Sequence, residues 1–510
     1  MAENEQEKST YKVVGYAALV ERYDLDVIPN WHKSLVTTSG IHRTDSSRGI
    51  VEEIYPFRYW PGDTLGDYLE FALKYDGTNL LILAELFQKA VKDELLEYIR
   101  SKPTGKYARR IWFLYEFLTG TTLPLGDLKQ GNYIDLLEPG EYYTVSKVRQ
   151  IRRQRINDNL LGDKRFCPMI RRTDTLLVFE AADLPERCRI VMSGYSPELL
   201  KRALGYLYSK ETKSSFEIEH IKPKSTRAER FVMLLQLAGQ EDFCEKAQLI
   251  RIQNSIVDER FYDSDYRLDQ TYVGETVAWH KEIIHFVCPK PEDLANLMEG
   301  LTAAHDRMGS GDVPPVIHAA AIAYGFVFMH PFEDGNGRIH RFLIHNILSR
   351  RGFTPEGIIF PISASMLNNP ADYDASLEAF SQQIMPLVEY SIDEDGRMTV
   401  HNDTGILYRY IDMTPQVEAL FRFINKTIDT ELAGELAFLA NYDKTKKAIQ
   451  EIVDIPDRQI DLFIRACLQN NGRLSARKRL SHFDFLSDEE IDKMEKAVKF
   501  AYGNTSEGNG

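Results

Sequence analysis

Residues 315–329, which read PVIHAAAIAYGFVFM, are apolar on nearly every side of a helix. No other feature constrains the fold so strongly. A helix without a polar face must lie in the middle of other elements. The run falls well short of the ~20 residues that span a bilayer, so its place is a protein core. The next twelve residues, His330 to Arg341, read HPFEDGNGRIHR. Pro331 stops the helix. Phe332 plugs the turn into the core. Gly335-Asn336-Gly337 then leads into a second helix whose buried face is Ile339, Phe342, Leu343 and Ile347. The chain thus sets a short polar loop between two buried helices.

The residue types in that loop suit one kind of chemistry. His330 stands at the C-terminal end of the first helix, where the dipole favours a protonated imidazole and so a better proton acceptor. Two glycines around a polar residue, just before a helix N-terminus, form a concave row of backbone N–H donors. Such a nest is an anion site, best suited to phosphate. Asp334 at its mouth can hold Mg²⁺, the usual companion of polyphosphate. Arg338 and Arg341 stand three apart and reach from one helix face toward the same phosphates. A lone histidine after an apolar helix is usually structural, and a Gly-Asn-Gly is usually a turn. It is their conjunction in twelve residues that argues for phosphoryl or nucleotidyl transfer. The P-loop and protein-kinase signatures are missing, so the site belongs to another class. A zinc site of His330, His340 and His345 fails on spacing, because side chains five apart on a helix point ~140° apart.

Composition narrows the partners. The formal charge of −14 argues against a general binder of nucleic acid or anionic membranes. The five cysteines are odd in number and form no Cys-x-x-Cys, which fits reduced thiols in a cytosol rather than a disulfide framework or zinc ribbon. The N-terminal MAENEQEKST is acidic and polar, not a signal peptide. The expectation is a soluble cytoplasmic protein. Its 510 residues suggest roughly two to four domains at ~100–200 residues each.

Along the chain, residues 11–125 read as mainly helical, with apolar residues at i, i+3, i+4 spacing. Residues 126–195 read as loop-rich with a few short strands, DTLLVFEA (174–181) among them. Residues 196–220 read as one long helix opened by Pro197, and another helix begins at Ser225. A β-hairpin is expected between 258 and 292, with Gly274 at its centre. Helices follow over 291–308, 314–330, 337–352 and 371–392. More helices follow after about 410, the last opened by a capping box at Ser487 and Glu490. Residues 1–10 and 503–510 read as disordered tails. The basic stretches 147–155 (KVRQIRRQR) and 473–480 (RLSARKRL) read as solvated or ion-paired faces rather than nucleic-acid sites.

His-Pro-Phe-x-Asp-Gly-Asn-Gly-Arg-x-x-Arg is the signature of Fic-domain proteins, and residues 330–341 match it without substitution. The chain resembles that family over roughly 196–395. The resemblance implies a mainly α fold, a Fic-type helical bundle with a β-hairpin flap. Around it stand a mostly helical N-terminal domain (1–195) of unknown role and a helical C-terminal domain (396–502). It implies transfer of AMP from ATP to a Ser, Thr or Tyr hydroxyl of a target protein, with release of pyrophosphate. By position, His330 is the base and Asp334 the Mg²⁺ ligand. Gly335, Asn336 and Gly337 cradle the phosphates, Arg338 contacts them, and Arg341 holds the γ-phosphate. Val273-Gly274 matches the flap segment near the nucleotide, and Tyr373 a nucleotide-site tyrosine. Asp374 and Ser381 depart from the tyrosine and asparagine expected there.

Many such proteins also carry an inhibitory helix, Ser/Thr-x-x-x-Glu-Gly/Asn, whose glutamate pairs with the second arginine of the signature. SSFEIEH offers Ser215 and Glu219 four apart, hence on one helical face, with His220 in the last position. Glu229 after Ser225 is the rival. The implied protein is an autoinhibited adenylyltransferase, and the same glutamate would position a water for removal of AMP. The other reading is a nucleotide-sensing regulator or scaffold with the fold but little turnover. Whether the chain forms a homo-oligomer is left open.

Overall fold

The computed structural model describes residues 11–38, 42–47, 49–278, 281–355 and 357–503. The expected tails, 1–10 and all of 503–510 but its first residue, lie outside this range. The chain is mainly α and falls into two compact units, each drawn from separated stretches. The first is Met1–Ala181, Pro223–Phe353 and Asn369–Phe421. The second is Ala182–Lys222, Thr354–Asn368 and Arg422–Gly510.

The first unit opens with a sheet, not with the expected helices. Strands Tyr11–Val14, His32–Thr37, Arg43–Ser47 and Ile50–Pro56 pair in the order first, second, fourth, third. Only the second and fourth run parallel. The alternation that marks a half-buried strand is absent here. His32–Thr37 is buried on both faces apart from Lys33, and it holds a histidine and a serine. The helices anticipated further on do form, with interruptions. Leu65–Phe71, capped by Thr64 and Asp67, runs into a π-helical turn, Ala72–Asp76. Leu80–Lys89, Lys92–Ser101 and Lys106–Thr119 follow.

The loop-rich segment is present and contains the three-stranded sheet of Ile134–Asp135, Arg149–Ile151 and Ile156–Asp158. Guanidinium groups hold it by its carbonyls. Arg109 donates to Gln154 and Asn132, Arg110 to Asp135, and Arg155 to Leu128, Lys129 and Gly131. Arg155 and Arg153, which pairs with Glu116 and Asp127, thereby draw two cations of the 147–155 stretch into the fold. DTLLVFEA is a helix, Asp174–Ala181, not a strand. The Thr173 hydroxyl accepts from Leu176 N–H, and Phe179 stacks on Phe421 at 5.4 Å. A local cap and one aromatic contact outweigh the β-prone composition.

The helices that position the site are Ser225–Leu237, Lys246–Ile256, Pro291–Ser310, Pro315–Met329, Asn336–Arg350 and Pro370–Ile384. In Pro315–Met329 every residue from Val316 onward is buried except Val327, as its all-round apolarity requires. The hairpin is shorter than its segment, Tyr272–Ala278 paired with Lys281–Val287. Gly274 lies within a strand beside a bulge, and an added Cβ there would meet the Ile283 carbonyl oxygen at 2.5 Å. The helix expected over 371–392 ends at Ile384. A 3-10 turn through Pro386 leads into a second hairpin, Tyr390–Ile392 with Met398–Val400.

In the second unit, Ser196 caps the long helix Pro197–Glu217. Glu211 on that helix is fully buried and accepts from Ser363 N–H and Oγ at the start of Ile362–Leu367. Toward the C-terminus, Ile449, Phe463, Phe483 and Met494 belong to one core built by Ala433–Ile452, Asp457–Leu468 and Asp488–Tyr502, the last opened by the Ser487–Glu490 capping box.

Candidate active site

His330 closes the Pro315–Met329 helix in a left-handed conformation, φ 48° and ψ 58°. That conformation costs a non-glycine residue of order 1 kcal/mol, so the surroundings must enforce it. Its N–H donates to Phe326 at 3.0 Å, and Nδ1 lies 3.3 Å from the Val327 carbonyl. A carbonyl only accepts, so this contact places the proton on Nδ1 and the lone pair on Nε2. A neutral imidazole oriented this way is a base at Nε2. Arg267 holds the backbone beyond it, with Nε donating to His330 O at 2.8 Å and its own N–H donating to Pro331 O at 2.8 Å.

The loop after His330 is pinned from inside. Phe332 is fully buried against Phe326 and Tyr266. Asn336, 2% exposed, accepts from Phe332 N–H and donates back to Phe332 O, at 3.1 and 2.7 Å. Its side chain therefore shapes the loop. Gly335 has φ 94°, and a Cβ there would lie 3.0 Å from Val257 Cγ1. Both the backbone and the close packing call for glycine. The N-cap residue, Gly335, offers no side-chain cap to the Asn336–Arg350 helix, whose first turn therefore brings backbone N–H groups to the loop.

Three carboxylates flank the loop. Asp334, 42% exposed, pairs with Arg338 Nη2 at 2.6 Å. Asp263 is pushed up by burial and by the Asp334 charge. Glu333 is pushed up by burial, with Asp269 and Asp263 adding to the effect. Arg338 is fully buried, and its Nη1 donates to Ile256 O at 2.8 Å. Arg341 is buried as well. Gln253, fully buried, ties the region together by donating to Phe261 O and Asp263 Oδ2. Neither Arg267 nor Gln253 belongs to a motif, so sequence reasoning missed both.

Tyr373 is 7% exposed and lies in the core, its ring 6.3 Å from that of His340. Tyr324 meets His340 from another side at 4.6 Å, and burial drives the His340 pKa down to about 3. Asp374 is exposed and Ser381 is buried. Val273 is exposed on the hairpin and pairs with Phe286, whose ring packs near Phe328 and Phe380.

Ser215 and Glu219 belong to the second unit. Ser215 is buried in the last turn of Pro197–Glu217, while Glu219 lies in the turn beyond it. His220 has φ 56°, and Ile221 N–H donates to Phe216 O at 3.1 Å. This is a Schellman-type ending with His220 in its left-handed position. Glycine and asparagine adopt that position most readily, so His220 meets the same backbone requirement with a different side chain.

Residues 243–348 match the model of the Fic/DOC family. The chain carries a Fic domain over these residues. Among curated relatives it is similar to Protein adenylyltransferase Fic of Drosophila virilis, 37% identical over 97 residues, 19% of this chain and 18% of that protein. The Drosophila melanogaster protein of the same name is 36% identical over 97 residues, 19% of this chain and 17% of its own length. The chain thus spans under a fifth of the length of these relatives. Among solved structures it is similar to a Fic family protein from Desulfovibrio desulfuricans, TM-score 0.36 and 17% identity, covering 65% of this chain and 87% of that one. A Fic domain containing signaling protein from Bacteroides thetaiotaomicron gives TM-score 0.34 and 20% identity, covering 49% and 95%.

The Fic domain carries a second polar cluster at the far end of the same two helices, about 20 Å away at 1.5 Å per residue. Arg351 Nη1 donates to His318 Nδ1 at 3.2 Å, and His318 Nε2 lies 3.0 Å from His305 Nδ1. His305 Nε2 lies 3.1 Å from Asp242 Oδ2, which also pairs with Arg350. An arginine only donates, so one assignment satisfies the row. His318 donates from Nε2 to His305, and His305 donates from Nε2 to Asp242. Burial above all, and then neighbouring charge, hold His318 well below its ordinary pKa. Burial would raise Asp242, but the bond from His305, the Cys244 N–H and the Arg350 charge outweigh it and hold the carboxyl well below the usual range. Asp242, Cys244 and His305 lie close enough together to suggest a metal. The donors disagree, however. Cys244 Sγ faces His305 Nδ1, while Asp242 faces Nε2, and one ion cannot take both nitrogens of a ring.

Proposed function

We propose that the protein transfers AMP from ATP to a Ser, Thr or Tyr hydroxyl of a target protein. The observation that carries this reading is His330, whose Nε2 bears the lone pair beside an uncapped helix N-terminus. In the step, Nε2 takes the hydroxyl proton, the hydroxyl oxygen attacks the α-phosphorus, and the bond to pyrophosphate breaks. The first-turn N–H groups from Asn336 onward receive phosphate oxygens, and Arg341 holds the γ-phosphate. Arg338 acts on the same side, chiefly by fixing Asp334. The donor set fits Mg²⁺. One outward carboxylate, Asp334, with like charges nearby, suits an ion that keeps waters and takes its other ligands from phosphate. Such an ion would neutralise charge on the polyphosphate. Val273 and Gly274, in the flap segment, and Tyr373 are assigned to the nucleotide site by the resemblance.

Autoinhibition by Glu219 is part of the proposal, supported by the left-handed His220 that follows it. Glu219→Gly should raise self-modification, whereas Glu229→Gly, the internal control, should not. A gain confined to Glu229→Gly would reassign the brake. Residence in the cytoplasm is also part of the proposal. Among the described residues no helix is long and apolar enough to cross a membrane. The deciding assay is incubation with ATP labelled at the α-phosphate. Label on protein supports transfer. Binding without label on any protein of a source lysate supports the nucleotide-sensing regulator instead.

A further inference from the structure

We infer that Arg267 is a positioning residue that locks His330 into its left-handed conformation and joins the base of the hairpin to it. The inference rests on the AMP-transfer reading for its kinetic part only.

Arg267 is 4% exposed, and burial pulls its pKa down. A buried guanidinium costs free energy unless its donors are answered. The answers come from two places. Nε donates to His330 O at 2.8 Å, and the backbone N–H donates to Pro331 O at 2.8 Å. Nη1 donates to Asp269 O at 2.7 Å and Nη2 to Pro289 O at 2.6 Å. Asp269 and Pro289 flank the hairpin at either end, and Gln270 closes the same base by donating to Cys288 O at 2.8 Å. One planar fork thus spans the loop that ends the central helix and the root of the hairpin.

This placement explains how the strain at His330 is kept. The two peptides after His330 are each held by a donor of Arg267, so the ring stays where its Nδ1 meets Val327 O. If that hold is lost, φ and ψ at residue 330 relax toward a commoner region and Nε2 moves. Displacement of a catalytic group by about 1 Å can cost about 10²-fold in rate. The hairpin root shares the hold, so the hairpin and His330 stand in one frame. A lysine cannot replace the fork, because its three donors sit on a single atom and the acceptors diverge.

The test uses full-length wild type, Arg267→Lys and Arg267→Ala, with two readouts. The first is transfer of AMP from labelled ATP, alongside ATP binding by calorimetry. Both variants should lose about 10²-fold in kcat while ATP affinity and stoichiometry stay within about twofold, and added ethylguanidinium should restore part of the rate to Arg267→Ala. The second is the ¹⁵N spectrum of histidine-labelled protein, with His330 assigned by its absence in His330→Ala. Wild type should show His330 with the proton on Nδ1, and the Arg267 variants a mixture of tautomers. Wild-type kcat in Arg267→Lys, or a rate loss matched by an equal loss of ATP-binding sites, would overturn the inference. If neither wild type nor Glu219→Gly transfers any AMP, the functional reading fails, and the His330 tautomer in the variants still decides the role of Arg267. An unchanged tautomer sinks it.

Discussion

The two ends of the helix pair Pro315–Met329 and Asn336–Arg350 handle their polar groups in opposite ways. At the Arg350 end, side chains answer side chains in a closed row, Arg351, His318, His305, Asp242 and Arg350. At the His330 end, Arg267 and Asn336 answer only backbone, and the first turn of the second helix has no side-chain cap. A closed row stabilises the fold and leaves nothing over for a ligand. Supports that hold backbone alone fix the path of the loop, and its Asp334 carboxylate is set from below by Arg338. Stability and chemistry are divided between the ends of one buried pair.

Substitutions should separate the two ends cleanly. His330→Ala should lower AMP transfer by ~10²–10⁴. ATP affinity and the melting temperature should stay close to wild type, because the phosphates are held by other groups. A variant that transfers as well as wild type would remove His330 from its role. At the other end, His305→Ala should cost about 2–3 kcal/mol in chemical denaturation, since it strands His318 and Asp242. Activity per folded molecule should not change. A fall in kcat instead would mean that the ends are coupled. Gly335→Ala should cost about 1–2 kcal/mol from its positive φ and the Val257 contact, and should also weaken ATP binding. Loss of stability without loss of affinity would argue against the nest.

The last separation is in pH. His318 and His340 are buried neutral, His340 with a pKa of about 3. Below about 6.5 the unfolded chain binds a proton at each that the folded chain does not. Stability should therefore fall as pH drops from about 6.5 toward 4, by at most about 1.4 kcal/mol per pH unit for each group. His32 has the opposite sign. Burial alone would lower it, but Asp76 and Glu53, one at each ring nitrogen, raise it overall. Its contribution is present in acid and lost as pH rises above about 6.5 through its raised pKa. Denaturant midpoints from pH 5 to 8 should show the acid loss shrink in His340→Leu and the alkaline loss shrink in His32→Gln. An unchanged acid slope in His340→Leu would mean that His340 is not buried neutral.

The sequence by itself determined the central helix, the turn at Pro331 and the loop of His330, Asp334 and Gly335, because each depends on residue type over a few neighbouring positions. An all-round apolar helix can only be buried, and only glycine tolerates both φ 94° and the Val257 contact at position 335. Other features depended on partners far along the chain. The opening sheet pairs His32–Thr37 in parallel with Ile50–Pro56, and buries polar residues that no alternation reveals. Arg267 gains its role from carbonyls at Asp269, Pro289 and His330, the last 63 positions away. Asn336 reads as a ligand in the motif, yet its side chain closes onto Phe332. Local residue type sets which conformations a segment can take. Which donor meets which acceptor was decided only by the tertiary structure, because a hydrogen bond depends on distance and direction in space and not on spacing along the chain.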